Sequence, residues 1–178
     1  MKKLIALVLS LLAVSSLVAG CSSGKGTTVN SGEKSVTFSL LSSPASLDPA
    51  TTTDGHSLMV ETQLFSMLVE SKGGTSNEIK PDIAESWEIS EDGLTYTFKL
   101  RDDVYFHNGK LLTADDVVYT FNRVMTEPYT SYYAAPIKSV EATDEHTFVA
   151  HLNYPFADFL TLVGGIYFGI CCEEAITA

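Results

Sequence analysis

Positive charge is scarce in this chain. Lys and Arg number 11 against 22 Asp and Glu, a formal net charge of −11. That balance argues against nucleic acid and anionic membrane surfaces as partners, because both require neutralising cations. Cysteine is also sparse, with three in 178 residues. Cys171 and Cys172 are neighbours, which disfavours a bridge between them on geometry, and two adjacent thiols without a further cysteine do not make a metal site. They read as buried or incidental thiols. No Ser-His-Asp ordering, paired-carboxylate arrangement or Gly-rich phosphate loop occurs, so an enzyme has no residues to carry it. His56, His107, His146 and His151 lack partners at ligand spacing, so neither a metal nor another cofactor is expected. No internal repeat is present.

Against these absences, Leu94–Arg123 (LTYTFKLRDDVYFHNGKLLTADDVVYTFNR) is dense in signal. Leu94, Tyr96, Phe98 and Leu100 alternate with Thr95, Thr97, Lys99 and Arg101, the period of a strand with one buried face. Trp87-Glu88-Ile89-Ser90 reads as its partner and Asp92-Gly93 as the turn, giving a hairpin over Ser86–Arg101, with Trp87 in the core. Asn108-Gly109 repeats the turn chemistry after Val104–His107. Thr113, followed by Asp115 and Asp116, then opens a helix through a Thr-x-x-Asp capping box, with both carboxylates at the positive end of the helix dipole. Val117, Val118, Phe121, Val124 and Met125 form its apolar stripe, and Pro128 stops it. Adjacent helical carboxylates do not converge on one point, so Asp115 and Asp116 read as helix-start charges rather than a catalytic pair.

The N-terminus carries an address. Met1-Lys2-Lys3 precedes a mostly apolar run, Leu4–Leu17, shorter than the roughly 20 residues a membrane-spanning helix requires. Val18-Ala19-Gly20-Cys21 follows and resembles a bacterial lipobox, with Val18 where leucine is usual. On that reading residues 1–20 are a lipoprotein signal peptide and Cys21 is lipidated. Residues 21–34, rich in Ser, Gly and Thr, are then a flexible tether, and residues 35–178 form the folded part.

Within that part, Val36–Leu41 reads as a short strand and Ser42–Pro49 as a loop. Leu58–Glu70 reads as a helix and Ser71–Asn77 as a loop broken at Gly73-Gly74. Val140–Thr143 and Thr147–Leu152 pair through Asp144-Glu145, and Phe156–Val163 is helical up to Gly164-Gly165. About six short strands and three helices are enough for one modest α/β domain, mixed and largely built of antiparallel hairpins.

Taken together, SLDP at Ser46–Pro49, the block from Ile79 to Arg123 and VEATDEHTFVAHLNYPFADFL from Val140 resemble the extracellular solute-binding proteins of family 5. This is the oligopeptide, dipeptide and nickel class that serves ABC importers. The resemblance runs from Val36 to about Leu162. It implies the N-terminal part of a periplasmic-binding-protein-like type II fold, including the extra domain inserted in its peptide-binding branch. Family members are longer and close two lobes around a ligand, so the second lobe is expected to be absent and the chain truncated. The run Gly169–Ile176 departs from the family, which usually has a proline around the second cysteine.

The function so implied is that of a lipid-anchored, monomeric binding protein on the extracytoplasmic face of the cell membrane, in the periplasm or on the outer surface. It would deliver oligopeptides or dipeptides to permease subunits. Alternatives are a protein for nickel complexes or another small solute, and a truncated product with no transport role. By the same resemblance Ser42, Ser43, Pro44, Ala45 and Ser46 map beside the ligand cleft, and Tyr129, Tyr132 and Tyr133 near a tyrosine-bearing cleft segment. On their own the serines also fit a self-capped surface loop, and the tyrosines ordinary aromatic packing.

Overall fold

The structure is a computed structural model that describes residues 36–71 and 78–177. The chain divides into two units, Met1–Ser39 and Leu40–Ala178. Of the first, Val36–Ser39 are described and lie outside any helix or strand. The segments expected to form a signal peptide and a tether, with Cys21, and most of the Ser71–Asn77 loop fall outside the described residues.

The second unit opens with the Leu40–Asp54 loop and a short helix, α1 (Gly55–Glu61). Asp54 caps it, its Oδ1 accepting from the backbone N–H groups of His56 and Ser57 at 3.1 and 3.0 Å. A two-stranded antiparallel ribbon follows, β1 (Val69–Ser71) with β2 (Ile79–Pro81). The main sheet comprises β3 (Ala84–Ile89), β4 (Thr95–Leu100), β5 (Ile137–Asp144) and β6 (Thr147–Leu152). Its order is β3-β4-β6-β5, antiparallel throughout. Between β4 and β5 lies α2 (Ala114–Thr126). After β6 come α3 (Phe159–Val163), a 3-10 turn (Ile166–Phe168) and α4 (Glu173–Thr177).

Both glycine turns form as their dipeptides require. Gly93 and Gly109 have φ of 68° and 87°, a region that costs other residues strain. In β4, Tyr96, Phe98 and Leu100 are buried on one face. Trp87 lies opposite Phe98 on β3, half-buried against the core. The stripe of α2 behaves as its spacing predicts, with Val117, Phe121 and Val124 fully buried and Val118 and Met125 packed at the edge. Phe121 stands at the junction of helix, sheet and C-terminal segment. Its ring centroid is 4.7 Å from that of Phe148 and 4.9 Å from that of Phe168. The capping box closes through Asp116, whose Oδ2 accepts from the Thr113 N–H at 3.1 Å and the Thr113 hydroxyl at 3.2 Å.

Three elements differ from the sequence expectation, the least of them the helix expected over Phe156–Val163, which begins only at Phe159. Val36–Leu41 forms no strand, and Leu41 is 97% exposed. A strand needs a neighbour for its backbone groups, and neither sheet takes this segment as a member. The helix expected over Leu58–Glu70 starts earlier and stops at Glu61, while Val69–Ser71 is extended. Tertiary pairing outweighs the helical pattern here. The Met67 N–H donates to Asp82 Oδ2 at 3.0 Å, and the Ile83 and Ala84 N–H groups donate to the Met67 and Leu68 carbonyls at 3.1 and 2.9 Å. Gly164 lets the end of α3 meet this ribbon, since a Cβ there would lie 3.0 Å from the Val69 carbonyl oxygen.

Candidate functional site

The Ser42–Ser46 loop is fixed from below by α1. The Ala45 and Ser46 N–H groups both donate to Ser57 Oγ, at 2.9 and 3.2 Å, and Ser57 Oγ donates to the capping Asp54 Oδ2 at 2.5 Å. Ser46 Oγ accepts from the Asp48 N–H at 3.0 Å, closing a local turn. Ser42 Oγ lies 3.1 Å from His56 Nδ1. Ser42, Ser43 and Ala45 are exposed, whereas Pro44 and Ser46 are half-buried. The loop's inner donors are therefore committed, and what it offers outward is the exposed hydroxyls of Ser42, which His56 already meets, and Ser43.

Tyr129, Tyr132 and Tyr133 occupy the turns after α2. Tyr129 and Tyr132 are 65% and 63% exposed. Tyr133 is half-buried in a column of three phenols, its ring centroid 3.9 Å from that of Tyr132 and 4.3 Å from that of Tyr167. The column turns one ring, Tyr132, outward with its inner face already packed.

Two long-range contacts join α2 and this tyrosine segment to the residues that follow the serine loop. Arg123, in the last turn of α2, donates from Nη1 and Nη2 to Asp48 Oδ1 and Oδ2 at 2.9 and 2.7 Å, a bidentate pair. Burial alone would raise the Asp48 carboxyl, but the hydrogen bonds and charge of Arg123 outweigh it and hold that group below the usual carboxylate range. The second contact is buried: Thr130 Oγ1 donates to the Ala50 carbonyl at 2.8 Å. The two candidate segments thus meet through Asp48 and Ala50. Sequence reading placed Asp48 and Arg123 in motifs without assigning them to each other, and it passed over Ser57, Thr130, Glu61 and Tyr167. A hydroxyl or carboxylate within an ordinary helix carries no signal of a contact many residues away.

A second region lies apart from this one. A cavity of about 430 Å³ is lined by Phe65, Val104, Phe106, Ile170, Cys172 and Ile176 among others, and by none of the eight candidate residues. At its edge Asp116, Cys172 and Glu174 place ligand-type atoms within 4.8 Å of one another. Lys110 Nζ already lies 2.8 Å from a carboxylate oxygen of both Asp116 and Glu174, so the negative charge there is met from within the chain. Both C-terminal cysteines are buried and free. Burial pushes the Cys171 thiol up to about 12, which keeps it an inert, protonated side chain at neutral pH.

Comparison with known proteins agrees with the sequence resemblance. Residues 78–171 match the model of the bacterial extracellular solute-binding proteins, family 5 Middle. The chain is 39% identical over 152 residues to heme-binding protein A of Haemophilus influenzae, covering 74% of this chain and 28% of that one. It is 35% identical over 162 residues to the dipeptide-binding protein of Escherichia coli, covering 79% and 30%. Among solved structures, the periplasmic binding protein DppA of Helicobacter pylori, in complex with the peptide STSA, aligns with a TM-score of 0.66 at 36% identity. That alignment covers 75% of this chain and 30% of that one. The chain therefore spans less than a third of the length of these relatives.

Proposed function

This chain belongs to the bacterial extracellular solute-binding proteins of family 5, and we propose that it captures short peptides outside the cytoplasm for an ABC importer. The observation that carries this reading is the anchoring of Asp48 and Ala50, which continue the chain from the Ser42–Ser46 loop, to α2 and the Tyr129–Tyr133 segment by Arg123–Asp48 and Thr130–Ala50. It occurs in a fold that aligns with a peptide-bound relative. Recognition would combine serine hydroxyls and backbone groups from the loop with the exposed tyrosine rings, a pairing of polar orientation and aromatic contact suited to a peptide. The Cys21 lipid would hold the protein at the membrane, and the acidic surface of the folded part would keep it from adhering to anionic lipid. Its partners would be the peptide and the permease subunits.

Calorimetric titration of the full chain with di-, tri- and tetra-alanine tests the reading; no heat from any of them overturns it. Mass spectrometry of Cys21→Ser beside the parent tests the anchor: only the parent should carry a diacylglyceryl mass and sediment with membranes.

A second reading is favoured by the 39% identity to a heme-binding protein. Haem would stack on the outward ring of Tyr132. Absorbance titration separates the two, since haem binding shifts the Soret band and trialanine would displace haem only if they share the site.

A further inference from the structure

Glu61, the last residue of α1, is fully buried. A carboxylate has about four acceptor positions, yet among the described residues only one side chain reaches this one, the Thr52 hydroxyl at Oε1. Oε2 is buried with no partner among the described residues. Among the described residues the charged groups around it do not supply a counterion. Asp48 and Asp54 are carboxylates of the same sign, the Cys171 thiol is neutral, and the Arg123 guanidinium is engaged by Asp48 in a bidentate pair. An ionised Glu61 would therefore be an uncompensated buried charge, one of the costliest arrangements in a protein interior. A neutral acid leaves only a carbonyl oxygen unpaired, a far smaller cost.

The hydroxyl geometry gives that proton a direction. Thr52 Oγ1 lies 3.0 Å from the Asp48 carbonyl oxygen as well as in contact with Glu61. A hydroxyl has one hydrogen to give. With the proton on Glu61, Glu61 donates to Thr52 and Thr52 donates to the Asp48 carbonyl. The loop so fixed is the one whose Asp48 side chain holds Arg123 and whose Ala50 carbonyl holds Thr130.

We propose that Glu61 is a positioning residue carried as a neutral acid, whose proton fixes the Asp48–Thr52 segment against α1 and couples ligand capture at the adjoining Ser42–Ser46 loop to pH. The coupling to ligand rests on the peptide-binding reading; the proton itself does not. Desolvation by burial, together with the neighbouring Asp48 and Asp54 charges, raises the Glu61 carboxyl, in line with the geometry. The sign follows. A raised acid favours the fold fully below the ordinary carboxylate range, and that contribution is lost as pH rises through the folded-state value, when Glu61 releases its proton to solvent.

The test uses the full chain labelled with 13C at glutamate carboxyls and titrated by NMR from about pH 4 to about pH 9. One glutamate resonance should titrate above all others and be missing in Glu61→Gln, which keeps shape and hydrogen bonding without the charge. Every glutamate titrating in the ordinary range would overturn the proposal. Should Glu61→Gln not fold, the outlying resonance in the parent, assigned through bonds to residue 61, decides alone. Trialanine affinity provides the second arm. In the parent it should fall with rising pH more steeply than in Glu61→Gln, by up to about a further tenfold per pH unit, since the ionisations of trialanine itself are common to both profiles. Equal pH profiles would overturn the coupling. Absence of trialanine binding in both proteins would overturn the peptide reading and the coupling that rests on it, with the resonance still deciding where the proton resides.

Discussion

Arg123 and Asp48 form a fork-to-fork ion pair across 75 residues of sequence, with donor–acceptor distances of 2.9 and 2.7 Å and side chains only 16% and 26% exposed. The pair ties the Leu40–Asp54 loop to the far end of the capped helix α2. In this position a lysine is no substitute, because a single ammonium cannot meet both carboxylate oxygens in plane.

Arg123→Lys should therefore lower unfolding stability, and Arg123→Ala should lower it further, by roughly 1–3 kcal/mol. Urea denaturation followed by circular dichroism measures it; an unchanged midpoint in Arg123→Ala would contradict the structural role. The pH dependence has a defined sign. Asp48 is held below the usual carboxylate range, so its contribution is present above the unfolded value, about 3.9, and is lost as pH falls through the lower folded value. The parent should lose stability on acidification through that window more steeply than Asp48→Asn.

Thr130→Val keeps the side-chain shape but leaves the Ala50 carbonyl without its buried donor. The expected cost is about 1–3 kcal/mol. Peptide affinity should fall with it, because the loop and the tyrosine segment lose a shared anchor. Calorimetry and denaturation on the same variant read both effects.

Tyr132→Ala and Tyr129→Ala remove exposed rings. Their denaturation midpoints should stay near the parent's, while ligand affinity drops by about 1–3 kcal/mol if the ring stacks on ligand. Tyr133→Ala differs, since it opens the middle of the phenol column and should cost stability as well. Equal stability losses for all three would reduce the tyrosines to packing.

Phe121→Ala empties the junction between α2, the sheet and the 3-10 turn. A loss of about 3–5 kcal/mol is expected for a fully buried phenylalanine. Thermal unfolding by calorimetry checks it, and a loss under about 1 kcal/mol would mean the core relaxes around the vacancy.

What was legible in the sequence was local. Asp92-Gly93 and Asn108-Gly109 dictate turns through backbone sterics alone, and Thr113 with Asp116 dictates a helix start within one turn of chain. The hairpins and α2 therefore stand where spacing put them. Leu58–Glu70 has apolar spacing that suits a helix, while its fate is decided by Asp82 and Ile83. Val36–Leu41 has the composition of a strand, but a strand is a property of a pair, and composition describes one member. The candidate site divides in the same way. The serine loop and tyrosines came from family resemblance, whereas Arg123–Asp48, Thr130–Ala50 and the buried Glu61 are meetings of distant residues that no window of sequence contains.

Trp87 is the only tryptophan of the chain, seated half-buried on the edge strand opposite Phe98. That location makes it a built-in optical reporter of one region and a silent witness to the rest. Its emission follows the hairpin and the face beneath it, while the serine loop and α1 can loosen without changing its surroundings. Fluorescence and amide circular dichroism, recorded in the same melt, would then trace separate curves if the loop frays first, and one curve if the ion pair and the Thr130 anchor make the two regions unfold as a unit.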